Sequence, residues 1–214
     1  MSTLEYQLSY SRHLPHIQPP GATLFVTFRL AGSIPLAVQQ ALLTEAAASE
    51  KRLSQISDTA ERKRLAYEEH KRLFGRWDAV LDCAKTGPHW LSEPQIAQLV
   101  QESLHYRDSK VYDLDTFCIM SNHVHVLFTP LPESKERYYA LPAIMQSLKG
   151  FTARQANALL GRKGHFWQHE SYDHVVRNEK ERQRIRWYIL QNPVKAGLVA
   201  SWEEWPWSFV KLIS

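Results

Sequence analysis

Two β-type segments separated by only three residues constrain the fold of this chain most strongly. Tyr112–Ile119 and His123–Phe128 are rich in aromatic and β-branched residues, and Met120-Ser-Asn122 joins them. A connection of this length predicts a short antiparallel hairpin, since parallel strands need a long crossover. An earlier segment, Thr23–Leu30, has the same β-type composition and predicts a third strand.

Long helices are predicted between the first strand and the hairpin. From Leu36 to about Trp77 the chain is rich in Ala, Leu, Glu, Lys and Arg, which favour helix. Polar residues at Ser54 and at Ser57-Asp58 predict a break into two helices, with Ser57 or Asp58 as the N-cap of the second. Ser92 before Glu93-Pro94 predicts the cap of a further helix that ends near Tyr106.

The C-terminal half continues the alternation of helices and strands. A helix is predicted over Leu141–Leu160, then a short strand over Tyr172–Val176, and then a helix that Asn178 and Glu181 cap and that ends before Pro193. The aromatic segment Trp202–Trp207 is expected to pack onto the body of the protein. This order of elements predicts an α+β fold with helices against an antiparallel sheet.

Composition excludes several classes of protein. The chain has 214 residues, of which 44% are hydrophobic and 22% charged, so it is neither fully disordered nor collagen-like. No run of about 18 uncharged apolar residues is present, and the first residues lack a secretory signal pattern, so we expect a cytoplasmic protein without a membrane span. Cys83 and Cys118 are too few for a disulfide framework or a zinc site of their own.

Positive charge is concentrated in the C-terminal third. Residues 149–195 contain ten Lys or Arg against four acidic residues, whereas the whole chain has a net charge of only +4. The same segment holds several aromatic residues, including Trp167 and Tyr188. Basic and aromatic residues together are typical of a groove for single-stranded nucleic acid. A solvated basic helix face is an equally good interpretation on composition alone.

The segment Asn122-His-Val-His-Val126 carries the most specific chemical signal. Side chains alternate along a strand, so His123 and His125 share one face, where two imidazoles can chelate a divalent ion. Two half-exposed histidines satisfied by hydrogen bonds are the alternative. A histidine-triad hydrolase is excluded because position 127 is Leu, and the zincin and zinc-deaminase motifs are absent.

A second candidate constellation lies near the end of the predicted helix 178–192. Tyr188 and Asn192 are four residues apart and therefore share a helix face. A tyrosine oxygen can attack a phosphodiester, and an amide oxygen suits Mg²⁺ or Mn²⁺. The alternative is that Tyr188 is a core aromatic and Asn192 a C-cap. Because Asn192 precedes Pro193, its backbone is biased away from helical dihedral angles, so we expect it at the end of the last turn. Other tyrosines are equally eligible by composition: Tyr138, Tyr139 and Tyr172.

Five ordered motifs resemble those of a known family. They are Gly87-Pro-His-Trp-Leu91, Met120-Ser-Asn-His-Val-His-Val-Leu127, Gly164-His-Phe-Trp-Gln168, Tyr172-Asp-His-Val-Val-Arg177 and Tyr188-Ile-Leu-Gln-Asn-Pro-Val-Lys-Ala-Gly-Leu198. The chain thereby resembles the REP-associated tyrosine transposases, which belong to the IS200-like, single-strand HUH transposases. Arg12-His-Leu-Pro-His16 and the first strand also look like this family.

The resemblance implies a ferredoxin-like or RRM-like antiparallel sheet and a metal-dependent endonuclease and strand transferase. It makes His123, His125 and Asn192 the ligands of Mg²⁺ or Mn²⁺ and Tyr188 the nucleophile that forms a 5′-phosphotyrosine. It also implies a single domain over residues 1–214, with the nucleophile helix at 178–192. Residues 1–22, with three Pro and one Gly, are predicted to form an irregular N-terminal arm, and the region 36–80 departs from the family by its length and is predicted to be a helical insertion. Where the family has Pro before the Asn-His pair, this chain has Ser121.

The expected partner is single-stranded or hairpin DNA, such as palindromic repeats, and a monomer is favoured over a homodimer. Candidate DNA contacts are Lys149, Arg154, Arg162, Lys163, Arg177 and Arg184, with Trp167 as a stacking platform. Asp173 and His174 are expected to support the site residues from behind. The alternatives are a non-catalytic, domesticated protein that binds DNA hairpins in regulation, and a phosphodiesterase that uses water.

Overall fold

The computed structural model describes residues 19–83, 87–135 and 137–212. The chain forms two compact units: the segment Ile34–Gly87 belongs to one, and the other combines Gln18–Ser33 with Pro88–Ser214. The motif Arg12-His-Leu-Pro-His16 and most of the predicted N-terminal arm lie outside the described residues. No helix in the described part of the chain is long and apolar enough to cross a membrane.

The helical unit consists of two helices, α1 (Leu36–Ser54) and α2 (Thr59–Cys83). The predicted break is confirmed, because the Asp58 carboxylate accepts hydrogen bonds from the backbone N–H groups of Ala60 (2.8 Å) and Glu61 (3.1 Å) at the start of α2. Salt bridges from α2 to α1 join the pair, among them Arg72 to Glu45 at 2.8 Å.

The second unit is built on a five-stranded antiparallel sheet. In chain order its elements are β1 (Leu24–Arg29), a 3₁₀ turn (Trp90–Ser92), α3 (Pro94–Arg107), β2 (Tyr112–Ile119), β3 (His123–Pro130), α4 (Leu141–Leu159), β4 (Tyr172–Val175), α5 (Glu179–Leu190), α6 (Asn192–Lys195), a second 3₁₀ turn (Trp202–Glu204) and β5 (Ser208–Val210). The spatial order is β4-β1-β3-β2-β5. The first four strands have the ferredoxin-like order, which confirms the predicted α+β fold.

One face of the sheet forms the hydrophobic core with α3 and α4. Val26 of β1, Phe117 of β2 and Val124 of β3 alternate with residues of the opposite face and are fully buried. The α4 residue Leu148 and the α3 residue Val100 are buried in the same cluster. Apolar burial on this face therefore determines which side chains of the central strands project to the other face.

The other face of the sheet is covered by α5. The strand β2 has an irregularity between Leu114 and Thr116, and the intervening Asp115 is buried. Its carboxylate accepts a hydrogen bond from Nε of Arg182 at 2.6 Å and pairs with Nε of Arg186 at 3.0 Å. Two successive turns of α5 are thus bound to one carboxylate of the sheet.

Several local predictions are corrected. The N-cap of α3 is Glu93, without a side-chain cap bond, so Ser92 does not have the predicted capping role. Asn192 begins the separate helix α6, because the chain turns at Gln191 between two helical segments. The strand β5 was not predicted, although the packing of Trp202–Trp207 is confirmed by a hydrogen bond from Trp205 Nε1 to the Ile119 carbonyl (3.0 Å).

Candidate active site

The two histidines of the H-x-H motif lie on the central strand and face α5. In the sheet register, His125 is opposite Thr27 of β1 and Cys118 of β2, and His123 is opposite Arg29. Both imidazoles are fully buried, with 0% of their surface exposed. The two histidines are therefore not half-exposed, as the alternative interpretation had them.

The two imidazole rings converge through their Nε2 atoms, which are 3.0 Å apart. The Nδ1 atom of His123 is 2.6 Å from Oδ1 of Asn122, and Nδ1 of His125 is 2.7 Å from the hydroxyl of Thr27. Each ring is thus held by a hydrogen bond at Nδ1, while the two Nε2 atoms point at one location. This is the arrangement in which a pair of imidazoles can ligate one ion.

Tyr188 of α5 lies beside this pair. Asn178 caps the helix by accepting a hydrogen bond from the Glu181 backbone N–H at 2.9 Å, as predicted. The Tyr188 ring centroid is 5.6 Å from that of His125 and 6.1 Å from that of Phe25. Ile185 and Ile189 are buried, whereas Tyr188 is only half-buried, so it is not a simple core aromatic.

Asn192 is fully buried immediately after α5. Its Nδ2 atom donates a hydrogen bond to the backbone carbonyl of Tyr188 at 3.1 Å. Its Oδ1 atom is buried and accepts no hydrogen bond from the described residues. A buried carbonyl oxygen that accepts no hydrogen bond lowers the stability of the folded state, and a bound cation would satisfy this oxygen. The chemistry of Nε2 from two histidines and Oδ1 of Asn192 fits a divalent metal ion.

Comparison with known proteins matches this arrangement to a family. Residues 88–192, which hold both histidines, Tyr188 and Asn192, match the family described as "Transposase IS200 like". This segment, which is just under half of the chain, is similar to the IS200-like transposases. This confirms the family that the sequence motifs indicated.

Two bacterial proteins are similar to part of this chain. The chain is 29% identical over 105 residues to a Haemophilus influenzae protein named as a REP-associated tyrosine transposase, and 28% identical over 97 residues to a REP-associated tyrosine transposase of Escherichia coli. Each match includes 45% of this chain but only 58% and 53% of those proteins, so the chain spans little more than half their length.

A solved structure has the same fold. It is a REP-associated tyrosine transposase bound to a REP hairpin, and it superposes with a TM-score of 0.52 over 92% of this chain and 82% of its own. The sequence identity is 16%, so this likeness concerns the fold. It agrees with the α+β fold described above.

Two site neighbours were not found from the sequence. Thr27 comes from a strand about 100 positions earlier and reaches His125 only through the register of the sheet. Lys195 lies in α6, and its Nζ is 4.5 Å from the centroid of the Tyr188 ring. Lys195 belongs to the Tyr188–Leu198 motif, so that motif was the signal that could have identified it.

The other candidate tyrosines occupy different positions. Tyr172 of β4 lies opposite Thr27 on the same face, with its ring 6.1 Å from Phe25. Tyr138 forms an isolated bridge with Pro132 beyond β3, and Tyr139 packs against the core of the opposite face. Tyr172 is therefore the natural comparison for Tyr188.

The two predicted supporting residues of β4 fall on opposite faces of the sheet. His174 is opposite Phe25, on the face of the histidine pair, and its Nε2 is 3.3 Å from Oε1 of the buried Glu181. Burial lowers the pKa of His174. Asp173 is opposite Val26, whose side chain belongs to the other face, so Asp173 does not support the imidazoles.

Two of the predicted DNA contacts have structural roles instead. Trp167 is 6% exposed, and its Nε1 donates to the hydroxyl of Thr152 at 2.8 Å, so its ring offers no face to a base. The Lys149 ammonium donates to three backbone carbonyls at 2.9–3.3 Å, those of Gln168, His169 and Glu170. Burial lowers the pKa of Lys149 to about 8.

The remaining predicted contacts lie nearer the surface. Arg162 lies over the ring of Trp90 at 3.7 Å and is fixed by Oδ1 of Asn157 (2.5 Å). Trp90 is half-buried and stacks on Phe166 with a centroid distance of 5.5 Å. The exposed residues of the predicted set are Arg154, Lys163, Arg177 and Arg184, of which Arg184 pairs with Glu181 at 3.2 Å.

Proposed function

We propose that this chain is a metal-dependent single-strand DNA endonuclease and strand transferase that forms a 5′-phosphotyrosine intermediate. The observation that carries the proposal is the buried pair of imidazoles, with Nε2 atoms 3.0 Å apart, beside the Tyr188 ring of α5. The family match is consistent with it, because the matched residues include all four proposed site residues.

The proposed metal ligands are Nε2 of His123, Nε2 of His125 and Oδ1 of Asn192. The unsatisfied, buried Oδ1 of Asn192 supports this assignment. Mg²⁺ and Mn²⁺ both accept carbonyl oxygen, and the two imidazoles favour Mn²⁺. When bound, the ion would polarise a non-bridging oxygen of the scissile phosphate.

Tyr188 is the proposed nucleophile. Its phenol oxygen would lose its proton and form a bond to phosphorus, while the bond from phosphorus to the 3′ oxygen breaks and that oxygen gains a proton. The ester conserves the energy of the phosphodiester, so another 3′-hydroxyl can reverse the step and join two strands. The Lys195 ammonium lies over the ring and would attract the anionic phosphate towards Tyr188.

The proposed substrate is single-stranded or hairpin DNA. A duplex would bury the scissile strand, whereas an unpaired strand exposes its phosphate and its bases. Arg162 presents a guanidinium plane fixed on Trp90, and Arg154 and Lys163 add exposed positive charge from the same segment. The solved structure with this fold is bound to a REP hairpin, which makes a hairpin oligonucleotide the first substrate to test.

The test uses a hairpin oligonucleotide with a labelled strand and Mn²⁺. The wild-type protein should yield a covalent adduct that survives denaturing electrophoresis, and Tyr188→Phe should yield none. Tyr172→Phe is the matched control, since it removes a hydroxyl on the same face of the sheet and should retain the adduct. The opposite outcome for these two variants would overturn the assignment of Tyr188.

Two other outcomes would replace the proposed function. Tight hairpin binding without cleavage in either Mg²⁺ or Mn²⁺ would assign a non-catalytic hairpin-binding role. Cleavage without a protein-linked product would indicate water as the nucleophile. His123→Ala should abolish the adduct while the near-ultraviolet circular dichroism of the fold persists, because the core lies on the opposite face of the sheet.

A further inference from the structure

We propose that Trp187 is a stacking site for one unpaired base of a DNA strand bound at Tyr188, and that Lys180 and Arg184 contact the phosphates of the same strand. This inference rests on the proposed function, because it takes single-stranded DNA as the ligand. It assigns the stacking role that the sequence suggested for the buried Trp167 to a ring that solvent reaches.

The indole of Trp187 is unusually accessible for this chain. The residue is 61% exposed. All seven Trp residues lie within the described ranges, and the other six are buried or half-buried. A single exposed apolar side chain is common on protein surfaces, so exposure alone assigns no role to it. The position of Trp187 on α5 is the distinguishing observation.

Helical periodicity places Trp187 on a solvent-facing stripe beside Tyr188. Residues three and four apart are neighbours on a helix surface, so Arg184 adjoins Trp187 on one side of the helix and Tyr188 on the other. Lys180, one turn earlier, continues the stripe, and all three members, Lys180, Arg184 and Trp187, are exposed. Ile185 on the opposite side is buried, and the half-buried Tyr188 lies between the two faces. A strand with its scissile phosphate at Tyr188 can therefore continue over the stripe.

Positive charge lies on both sides of Tyr188 along the chain. Nη2 of Arg184 pairs with Oε1 of Glu181 at 3.2 Å, yet 60% of the Arg184 side chain is exposed, so the guanidinium is oriented and still accessible. Beyond the end of α5, Nζ of Lys195 lies 4.5 Å from the centroid of the Tyr188 ring. Cations spaced along one surface match successive phosphates, and an exposed indole among them matches the face of an unpaired base. This combination favours an unpaired strand as the occupant.

The first test locates the base contact by affinity. Anisotropy of a labelled hairpin oligonucleotide with a single-stranded extension is measured with the full chain in EDTA, so that metal-dependent cleavage does not interfere. Oligonucleotides that each lack one base of the extension form an abasic series. In the wild type, one abasic position should raise Kd by about 5- to 150-fold. In Trp187→Ala the intact oligonucleotide should already bind with this weaker affinity, and the same abasic position should have no further effect.

Two variants separate stacking from other effects. Tyr106→Ala is the matched control, because Tyr106 is 68% exposed and has the Lys110 ammonium 3.7 Å from its ring centroid, but it belongs to α3 on the opposite side of the sheet. This control should change Kd by less than about twofold. Lys180→Gln should keep the abasic pattern of the wild type and lower the slope of log Kd against log salt by about 0.7.

The outcomes for this surface and for the proposed chemistry are distinguishable. An abasic penalty that persists in Trp187→Ala, wild-type affinity of that variant, or no binding by the wild type would overturn the proposal. A Trp187→Ala protein with unchanged DNA affinity and a smaller sedimenting species would assign the indole to contact between copies of the chain. A base contact that depends on Trp187, without a covalent adduct in Mn²⁺, would remove the proposed chemistry and leave this binding site. Trp187→Ala should melt as the wild type does, since the indole is exposed.

Discussion

The attachment of α5 to the sheet should depend on one buried carboxylate. The Asp115 side chain is 5% exposed and pairs with Arg186, which is 10% exposed, and with Arg182, which is 31% exposed. Asp115→Asn keeps the volume and removes the charge, which leaves the Arg186 guanidinium buried without its counter-ion. Breaking a buried pair in this way costs about 3–5 kcal/mol. We expect about 3 kcal/mol, because Arg182 is partly solvated and the amide can still accept one hydrogen bond.

That loss converts into a measurable change of the melting temperature. In domains of this size 1 kcal/mol corresponds to about 2–4 °C, so Asp115→Asn should lower the midpoint by about 6–12 °C. Tryptophan fluorescence is a suitable probe, since six of the seven Trp residues belong to the sheet-containing unit and only Trp77 to the helical one.

Asp113→Asn provides the matched control two positions earlier on the same strand. Asp113 pairs with Lys211, but the two side chains are 50% and 47% exposed, so its loss should cost less than about 1 kcal/mol. Equal melting temperatures for the two variants would refute the view that Asp115 anchors the helix. A second measurement, deuterium exchange of the α5 amides, should show faster exchange in Asp115→Asn only.

Two further predictions concern the other parts of the molecule. Hydrogen bonds from Arg72 and Ser49 lower the pKa of the Glu69 carboxyl from 4.5 to about 2. Below pH 4.5 the unfolded chain therefore binds more protons than the folded one, and the contribution of Glu69 to the free energy of unfolding falls as the pH falls towards 2. Urea unfolding followed at 222 nm between pH 6 and pH 2.5 should show a smaller loss of unfolding free energy for Glu69→Gln than for the wild type, and parallel curves for the two proteins would contradict this prediction. Trp167→Ala should cost about 3–5 kcal/mol of stability in urea titrations, as expected for a core aromatic, whereas a loss below about 1 kcal/mol would indicate the exposed platform originally expected from the sequence.

The parts of the site that could be predicted from sequence are those set by local periodicity. Alternation along β3 places His123 and His125 on one face regardless of what surrounds them. The helical spacing of Tyr188 and Asn192 was a weaker guide, because α5 ends at Leu190 and Asn192 begins α6. The Asp58 and Asn178 caps were also predictable, since a cap bonds to residues two or three positions away.

What could not be predicted depends on pairing between distant segments. Trp167 lies among basic residues in the sequence, but its ring packs on Phe28 of β1 with a centroid distance of 4.8 Å, so only the fold reveals it as core. Lys149 is similar, because the carbonyls that hold it come from a loop about twenty positions later. The strand β5 has three residues and no periodicity of its own.

The short strand β5 has a consequence for solubility. It pairs with the outer edge of β2 at Thr116, Phe117 and Cys118. The backbone N–H and C=O groups along this part of the eight-residue β2 are therefore not available to pair with other molecules. The outermost strands of the described sheet are only three and four residues long, β5 and β4. Removing the chain from Pro206 onward would expose the outer edge of β2, and we expect the truncated protein to pair strands between molecules and precipitate.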